Sequence, residues 1–372
     1  MSLSVLIAGG GTGGHLYPGI AVARAVLAHA PDTQVAFVGT AAGIEARVIP
    51  REGFALELIH AAGLKGKSVG ALAHGMMLLP LGARDAWGVI TRRRPSVVVG
   101  VGGYSSGPVV LLAALRGVPT LLMEQNVVPG LTNRLLAPVV DAAAVTYEET
   151  VRFFGSKAFV SGNPVRAEFL DRRDTSVSAD QGERVAAQDD SRVEPVRVLV
   201  FGGSQGAHAI NVAMVEAASR LAQGTPRVQL THQTGERDLA MVRDGYRRAG
   251  LEARVESFLY EMDREMRAAD LVVCRAGATT LAELAASGKA SILVPLPTAT
   301  DDHQRRNAVA LVNHGAAVMV VERELSGDRM AAEILGLARD AAKRGQIGDR
   351  ASRMARPDAA RVIAEKVVSL AR

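Results

Sequence analysis

The chain has 372 residues, of which 48% are hydrophobic and 22% are charged, and its formal net charge is +5. This length is typical of two globular domains, and the composition excludes fibrous and intrinsically disordered proteins. Aromatic residues make up only 4% of the chain, and cysteine occurs once, as Cys274. We therefore exclude a disulfide framework, a multi-cysteine metal site and a nucleic-acid surface built on stacked aromatic rings.

The first half of the chain alternates between apolar strands and helical segments, a pattern typical of parallel βαβ units. An apolar run at residues 4–8 predicts a buried strand, the glycines of residues 9–14 predict a tight loop, and Pro18 predicts the first turn of a helix. Further strands are predicted at residues 35–38, 97–101 and 120–123. Because residues 1–8 lead directly into this strand and loop, we expect no signal peptide.

The same pattern starts again in the second half, with a strand at residues 196–201, a glycine loop at residues 202–207 and a helix. Later strands are predicted at residues 229–231, 271–274, 291–294 and 317–321. Two successive starts of this kind predict two Rossmann-like α/β domains. Residues 172–195 are rich in Ser, Asp, Gln, Glu and Arg, which predicts an exposed or disordered insertion.

The first glycine loop contains a G-x-G-x-x-G sequence formed by Gly9, Gly11 and Gly14. In dinucleotide-binding proteins the second strand ends in an acidic residue that holds a ribose, but here that strand ends in Gly39-Thr40. This disfavours an NAD-dependent oxidoreductase. Backbone amides at a helix start still favour an anionic ligand, and the alternative is a tight turn without a ligand.

Two further loops, Gly102–Pro108 and Glu124–Asn126, follow strands of the same predicted sheet. Parallel strands end at a common sheet edge, where open α/β sheets bind ligands, so we expect the three loops to converge. His15 closes the first loop. An imidazole there is a candidate general base, because histidine exchanges protons near neutral pH, and the alternative is a structural histidine.

In the second half, the loop after the strand at residues 271–274 leads into a helix that starts near Gly277. Amides at a helix start, together with the helix dipole, favour a diphosphate. Glu283 lies about a turn further on and could hold both ribose hydroxyls, or it is a surface glutamate of an amphipathic helix. Residues 301–304 are candidates for binding sugar hydroxyls. Because Asp-x-Asp, His-x-Glu and Cys/His spacings are missing from the sequence, we expect no metal site.

Residues 70–94 combine apolar side chains with cations. The apolar residues are Met76, Met77, Leu78, Leu79, Leu81 and Trp87, and they are flanked by the cations Lys65, Lys67, Arg84, Arg92, Arg93 and Arg94. Apolar residues beside cations are typical of a protein that lies on an anionic bilayer. The alternative is a core-facing helix with a solvated charged end.

Taken together, these segments closely resemble the MurG family of glycosyltransferase family 28. The resembling segments are Gly10–His15, Gly102–Tyr104, Ser106–Pro108, Glu124–Asn126, Gly130–Asn133, Gly162–Arg166, Gly202–Ala207, Cys274–Ala278 with Glu283, and Asp302–Gln304 with Asn307. They span nearly the whole chain in the order found in the family. The family transfers N-acetylglucosamine from its UDP carrier to undecaprenyl-diphospho-muramoyl-pentapeptide, converting lipid I to lipid II in peptidoglycan synthesis.

The resemblance implies an α/β fold of the GT-B type, in which two Rossmann-like domains face each other across a cleft. It implies an inverting transfer to the muramoyl 4-hydroxyl, with His15 as the catalytic base and without a cofactor or metal. The residues that it implies for binding UDP-N-acetylglucosamine are Thr12, Gly13, Gly14, Asn126, Arg166, Ser204, Leu259, Ala278, Thr279, Thr280, Leu281, Ala282, Glu283 and Gln304. Among these, Leu259 is implied to place its backbone against uracil.

The resemblance also implies a domain organisation. We expect residues 1–165 to form an N-terminal domain on the acceptor and membrane side, and residues 166–195 to form a linker with the polar insertion. We expect residues 196–345 to form the C-terminal domain with the UDP-sugar site, and residues 346–372 to form a helix that packs back on the N-terminal domain.

The implied partners are UDP-N-acetylglucosamine, the undecaprenyl-linked acceptor, anionic lipids and proteins of cell-wall synthesis and division, but not nucleic acid. The implied location is peripheral, on the cytoplasmic face of the cell membrane. One alternative is an enzyme similar to UDP-N-acetylglucosamine 2-epimerase, which shares the fold but needs no lipid acceptor. Another is a non-catalytic scaffold on the membrane surface, which the many ligand-loop motifs disfavour.

Overall fold

A computed structural model describes residues 3–61, 69–170, 194–203 and 206–372, with the side chains of residues 69–77 and 79 not described. The chain divides into two compact units. Unit 1 combines the chain up to Arg166 with Arg356–Arg372, and unit 2 is Ala167–Ala355. Nearly all of the predicted insertion at residues 172–195 lies outside the described residues.

Unit 1 is built on a parallel sheet of seven strands. These are β1 (Ser4–Gly9), β2 (Gln34–Gly39), β3 (Ala55–Leu58), β4 (Val97–Gly102), β5 (Thr120–Glu124), β6 (Ala142–Val145) and β7 (Ala158–Val160). They lie in the order β3-β2-β1-β4-β5-β6-β7. The order changes direction between β1 and β4, and the carboxyl ends of the strands at such a switch point are where open sheets bind ligands.

Unit 2 repeats this topology with a six-stranded parallel sheet in the order β10-β9-β8-β11-β12-β13. Its strands are β8 (Val196–Phe201), β9 (Val228–Gln233), β10 (Ala253–Glu256), β11 (Leu271–Cys274), β12 (Ser291–Leu293) and β13 (Val318–Met319). The prediction of two Rossmann-like α/β domains is therefore confirmed. The strands at residues 55–58, 142–145, 158–160 and 253–256 were not predicted, because they are short and carry no distinctive period.

Helices cover both faces of each sheet, so that alternate side chains of the central strands are buried in two apolar cores, one on either side of the sheet. They are α1 (Gly13–His29), α2 (Glu45–Arg51), α3 (Val69–Arg93), α4 (Ser106–Leu115), α5 (Leu131–Leu136), α6 (Ala167–Leu170), α7 (His208–Ala222), α8 (Leu239–Ala249), α9 (Met262–Ala268), α10 (Ala278–Ser287), α11 (His303–Asn313), α12 (Gly327–Arg339), α13 (Ala341–Met354) and α14 (Ala359–Leu370). Among the described helices, none is long and apolar enough to span a bilayer.

The last helix returns to the first unit. Ile363 and Val367 of α14 are buried in the same core cluster as Val22 and Val26 of α1. The chain thus leaves unit 2 after α13, and α14 completes the core of unit 1. Burial of these aliphatic side chains provides the hydrophobic free energy that holds α14 in place.

The start of α1 differs from the prediction. The N–H groups of His15 and Leu16 both donate to the Thr12 carbonyl at 3.2 Å, so the glycine loop itself turns into the helix. The helix begins at Gly13, and Pro18 lies inside it, where a proline gives up one helical hydrogen bond. His15 therefore lies in the first turn of α1 and not in a loop, which places it among the N-terminal amides of the helix.

Candidate active site

Three loops lie together at the carboxyl edge of the unit 1 sheet, as expected. They follow β1, β4 and β5, of which β4 lies between the other two. A Cβ atom at Gly103 would stand 2.6 Å from the carbonyl oxygen of Gly10, so the first two loops touch backbone to backbone. The Gln125 side chain donates to the Val101 carbonyl at 3.2 Å and ties the third loop to the second.

His15 sits where the first two loops meet. Its Nδ1 atom is 3.1 Å from the Thr12 hydroxyl. Its ring lies against Gly102, where a Cβ atom would come within 2.7 Å of Cδ2 and 3.0 Å of Nε2. The glycine makes room for the imidazole. If Nδ1 carries the ring proton, its N–H donates a hydrogen bond to the Thr12 hydroxyl. The lone pair of Nε2 is then the one that can accept a proton.

A buried glutamate that the sequence did not mark braces the first loop. Glu45, the first residue of α2, is 1% exposed. Its carboxylate accepts from the Gly11 N–H at 2.9 Å, and from the N–H and hydroxyl of Thr40 at 2.9 and 3.0 Å. The Gly11 amide is thus paired with a carboxylate of the protein, which corrects the view of this loop as a cradle of free amides. The contact joins residues 34 positions apart, so no local pattern could show it.

Glu124 shapes the third loop. It is 3% exposed and accepts from the backbone and side-chain amides of Asn126, from the Gly130 N–H and from the Asn133 side chain, at 2.8–3.1 Å. Burial raises the pKa of the Glu124 carboxyl, and the hydrogen bonds from Asn126, Asn133 and Gly130 oppose that rise. The hydrogen bonds of the Glu124 carboxylate therefore hold the loop that contains Asn126.

Arg166 ends the first segment of unit 1, and its guanidinium lies over the ring of Tyr17 in α1, 5.4 Å from the ring centroid. A cation stacked on an aromatic ring is held in place without losing its charge. This stacking brings Arg166 to the first turns of α1, where Thr12 is exposed and Gly13 and Gly14 are partly exposed.

In unit 2, α10 begins where it was predicted, with Gly277 at its N-cap. Glu283 lies in the second turn and is 5% exposed, so its interpretation as a surface glutamate is wrong. Burial, with a smaller contribution from the nearby Glu283 carboxylate, raises the pKa of the Cys274 thiol at the end of β11. In the first turn, Thr279 and Thr280 are half-buried. Leu281 is packed in the core, so only its backbone is available to a ligand.

Gln304 in α11 is held beside the start of α10. Its side-chain oxygen accepts from the N–H groups of Ala276 and Leu296 at 3.2 and 3.0 Å. Because both partners are donors, the orientation of the amide is determined. The NH₂ group of Gln304 therefore points away from these two amides and is the part of the side chain that can donate to a sugar hydroxyl.

Only the backbone of Leu259 is available to a ligand, because its side chain is buried in the core of unit 2. Its N–H donates to the side-chain oxygen of Gln233 at 2.9 Å, a contact that the sequence did not reveal. Ser204 lies outside the described residues.

The structure divides the candidate residues into two groups. Thr12, Gly13, Gly14, His15, Asn126 and Arg166 belong to unit 1, and Leu259, Ala278–Glu283 and Gln304 belong to unit 2. In each unit they lie on loops and helix starts that follow the carboxyl ends of the strands. Within the described part of the chain, no group of three or more His, Cys, Asp or Glu side chains could hold a metal ion.

Two protein-family models match this chain, one in each half. The model of the glycosyltransferase family 28 N-terminal domain matches residues 5–145, and the model of the C-terminal domain matches residues 197–363. The chain belongs to glycosyltransferase family 28. Glycosyltransferases of this family pair two parallel-sheet α/β domains, and the GT-B fold class expected from the sequence is confirmed at this level.

Individual proteins also match this chain over nearly its full length. The UDP-N-acetylglucosamine–N-acetylmuramyl-(pentapeptide) pyrophosphoryl-undecaprenol N-acetylglucosamine transferase of Pelobacter propionicus is 50% identical, with 99% of each chain covered. The crystal structure of Acinetobacter baumannii MurG aligns with a TM-score of 0.77 at 27% identity, again with 99% of each chain covered. A UDP-GlcNAc 2-epimerase from Neisseria meningitidis aligns with a TM-score of 0.68 at 12% identity, which shows the shared fold alone.

Proposed function

We propose that this protein transfers N-acetylglucosamine from UDP-N-acetylglucosamine to the muramoyl 4-hydroxyl of undecaprenyl-diphospho-muramoyl-pentapeptide, which converts lipid I to lipid II. The observation that carries this proposal is the 50% identity, over 99% of both chains, to a relative named for that transfer. The similarity to a 2-epimerase, at 12% identity, does not favour the epimerase alternative.

The chemistry divides between the two units. In unit 1, Nε2 of His15 takes the proton from the attacking 4-hydroxyl, while Thr12 orients the ring through Nδ1. Attack occurs in line at the anomeric carbon, UDP leaves, and an α-linked donor gives a β-linked product. In unit 2, the amides at the start of α10 stabilise the departing diphosphate, a role that a helix N-terminus fills without a metal.

The remaining candidates hold the donor. Glu283 accepts hydrogen bonds from the two ribose hydroxyls, and its burial makes those bonds strong because they compete little with water. Gln304 donates through its NH₂ group to a sugar hydroxyl, as its fixed orientation requires. Asn126 and Arg166 act on the donor from unit 1, each held by the contacts described above.

An apolar face of unit 1 supports attachment to the acceptor's membrane. Exposed large side chains lie on three successive helices, with Leu81 and Trp87 on α3, Leu111 and Leu115 on α4, and Leu131 and Leu135 on α5. Arg116 stacks on Trp87 at 4.5 Å, and Arg134 lies between the two leucines of α5 in sequence. We propose that this face lies on the cytoplasmic surface of the membrane, because exposed apolar side chains next to cations favour an anionic bilayer.

Two of the cations proposed for membrane contact also have a role within the protein. Arg92 and Arg93 pair with Glu57 at 2.9 and 2.8 Å. Burial raises the pKa of Glu57, but the two arginines outweigh it and bring the pKa below its usual value. The side chains of Met76, Met77 and Leu79 lie outside the described residues, and Leu78 is partly exposed.

The test is an assay of labelled sugar transfer from UDP-N-acetylglucosamine to a short-chain analogue of the lipid acceptor. We expect UDP release only when the acceptor is present, and full activity in excess EDTA. Release of UDP and formation of a 2-epimer without acceptor would instead establish the epimerase activity. Loss of activity in EDTA that magnesium or manganese restores would contradict the metal-free mechanism.

A further inference from the structure

Gln233, the last residue of β9, joins two loops that neither the sequence nor the family assignment connects. The side chain is 2% exposed. Its oxygen accepts from the Leu259 N–H at 2.9 Å, and its NH₂ group donates to the Gly203 carbonyl at 2.9 Å. One partner is a donor and the other an acceptor, so a flipped amide would satisfy neither.

The sheet topology explains why this side chain reaches both loops. β9 lies between β8 and β10, so its carboxyl end lies between the loop that contains Gly203 and the loop that contains Leu259. The backbone that follows β9 also contacts both neighbouring loops. The N–H of Gly235 donates to the Ser257 carbonyl at 3.1 Å, and a Cβ atom at Gly206 would stand 1.9 Å from the carbonyl oxygen of Thr234.

We propose that Gln233 is a positioning residue for the nucleotide donor, which ties the loop at Leu259 to the glycine loop after β8 before the donor binds. This inference rests on the proposed function and on the donor contacts that the family resemblance implies, in which the Leu259 backbone meets the uracil and Ser204, in the glycine loop after β8, meets the phosphate end of the donor. The two ends of one UDP molecule are then held at a separation that the protein sets in advance. Preorganisation of this kind raises affinity because less loop ordering accompanies binding.

A positioning role predicts a particular kinetic pattern. Loss of the two Gln233 hydrogen bonds weakens the binding of the free donor, because the two loops are no longer held together. The groups that act on the anomeric carbon stay unchanged. The KM for UDP-N-acetylglucosamine and the Kd for UDP should therefore rise about tenfold, with kcat within about twofold of the parent. A merely structural role would lower the melting temperature but leave the KM of the folded enzyme unchanged.

Two variants at this position separate the contributions. Gln233→Glu keeps an acceptor for the Leu259 N–H but places a carboxylate oxygen against the Gly203 carbonyl. Gln233→Met keeps the length of the side chain, removes both hydrogen bonds and buries no charge. The matched control is Gln229→Glu, the same substitution on the same strand. The Gln229 side chain donates to Glu252 at 2.7 Å and contacts neither of the two loops. Calorimetry with UDP, steady-state kinetics, melting temperature and hydrogen exchange at the Leu259 amide are measured for all four proteins.

We expect Gln229→Glu to bind UDP like the parent, and both Gln233 variants to bind about tenfold more weakly. Faster exchange at the Leu259 amide in Gln233→Met should accompany the loss. If the parent binds UDP and both Gln233 variants bind it equally well, the proposed function stands and the positioning role is wrong. A fall in melting temperature with unchanged KM overturns it in the same way. If the parent does not bind UDP, the proposed function itself fails and this inference falls with it.

Discussion

At the scale of single residues, His15 shows how much depends on the exact start of a helix. Because α1 begins at Gly13, the ring is held between the Thr12 hydroxyl and the Gly102 backbone. In the first helical turn, the backbone restricts the direction of the histidine side chain. This geometry is what a general base requires, and it makes the catalytic hypothesis specific enough to test.

We expect His15→Ala to lower kcat by about 10²–10⁴-fold, the usual contribution of a general base. UDP affinity should change little, because Glu283 and α10 belong to unit 2. The base acts as the neutral imidazole, so parental activity should fall as the pH is lowered, and this acid limb should be lost in the variant. His15→Asn and His15→Gln retain hydrogen-bonding groups. Near-parental turnover in these two variants would show that His15 only shapes the loop.

His232 is the second residue whose ionisation has a measurable consequence. It is fully buried, with Nδ1 2.7 Å from the Tyr246 hydroxyl and Nε2 3.0 Å from the Asn211 side-chain oxygen. Burial lowers the pKa of His232 to about 3. The unfolded chain therefore binds a proton near pH 6.5 that the folded chain does not bind until about pH 3.

The stability that His232 contributes is therefore fully present above about pH 6.5 and is lost as the pH falls towards 3. We expect the free energy of unfolding to fall by about 1.4 kcal/mol per pH unit from this residue between pH 6 and pH 4. Urea unfolding of the parent and of His232→Gln, at several pH values, measures the difference in slope. His29→Gln, a change at an exposed histidine, should keep the parental slope. Equal slopes for the parent and His232→Gln would contradict the prediction.

At the scale of elements, the first glycine loop depends on a helix that starts 34 residues later. Glu45 accepts from the part-buried N–H of Gly11 and from the buried N–H and hydroxyl of Thr40, and removing it leaves these donors without that acceptor. We expect Glu45→Ala to lower the free energy of unfolding by about 1–3 kcal/mol, the range for unsatisfied buried groups. Glu52→Ala is the control, since Glu52 at the other end of α2 pairs with Arg24 on the surface and should cost under about 1 kcal/mol. Similar losses in the two variants would mean that Glu45 does not brace the loop.

The second element is α10, which carries Glu283 behind its N-terminal amides. We expect Glu283→Ala to weaken UDP binding by about 1.5–3 kcal/mol, the range for a hydrogen bond to a charged group. Isothermal calorimetry measures the dissociation constant, and the melting temperature shows whether the buried site tolerates the change. An unchanged dissociation constant would remove Glu283 from the nucleotide site.

At the scale of the whole molecule, a group of exposed leucines lies on neighbouring helices of unit 1. Leu115 and Leu135 are 70% and 71% exposed, although leucine gains most from burial. They lie on α4 and α5, next to α3 with Trp87. Exposure of apolar side chains on three successive helices supports the membrane surface proposed above.

We therefore expect the double variant Leu115→Ser/Leu135→Ser to co-sediment less with vesicles that contain anionic lipid, with its UDP affinity unchanged. Leu58→Ser is the comparison variant, because Leu58 is 51% exposed but lies on β3 and belongs to none of the three helices. Substituting Arg92 and Arg93 is less informative, since it also breaks their pairing with Glu57. Equal sedimentation of the double variant and the parent would place the membrane surface elsewhere.

The sequence alone determined the fold class, because strand periodicity and glycine loops are local patterns that repeat in both halves of the chain. It also indicated the start of α10 and the convergence of the loops after β1, β4 and β5, since parallel strands must end at a common edge. Only the tertiary structure decided what holds those loops. Glu45 and Gln233 are ordinary polar residues in the sequence, and Glu124 was marked there only as part of a loop. The importance of all three comes from burial against backbone amides and carbonyls. Glu45 and Gln233 reach residues more than 20 positions away, because strand order and not chain distance determines which loops become neighbours.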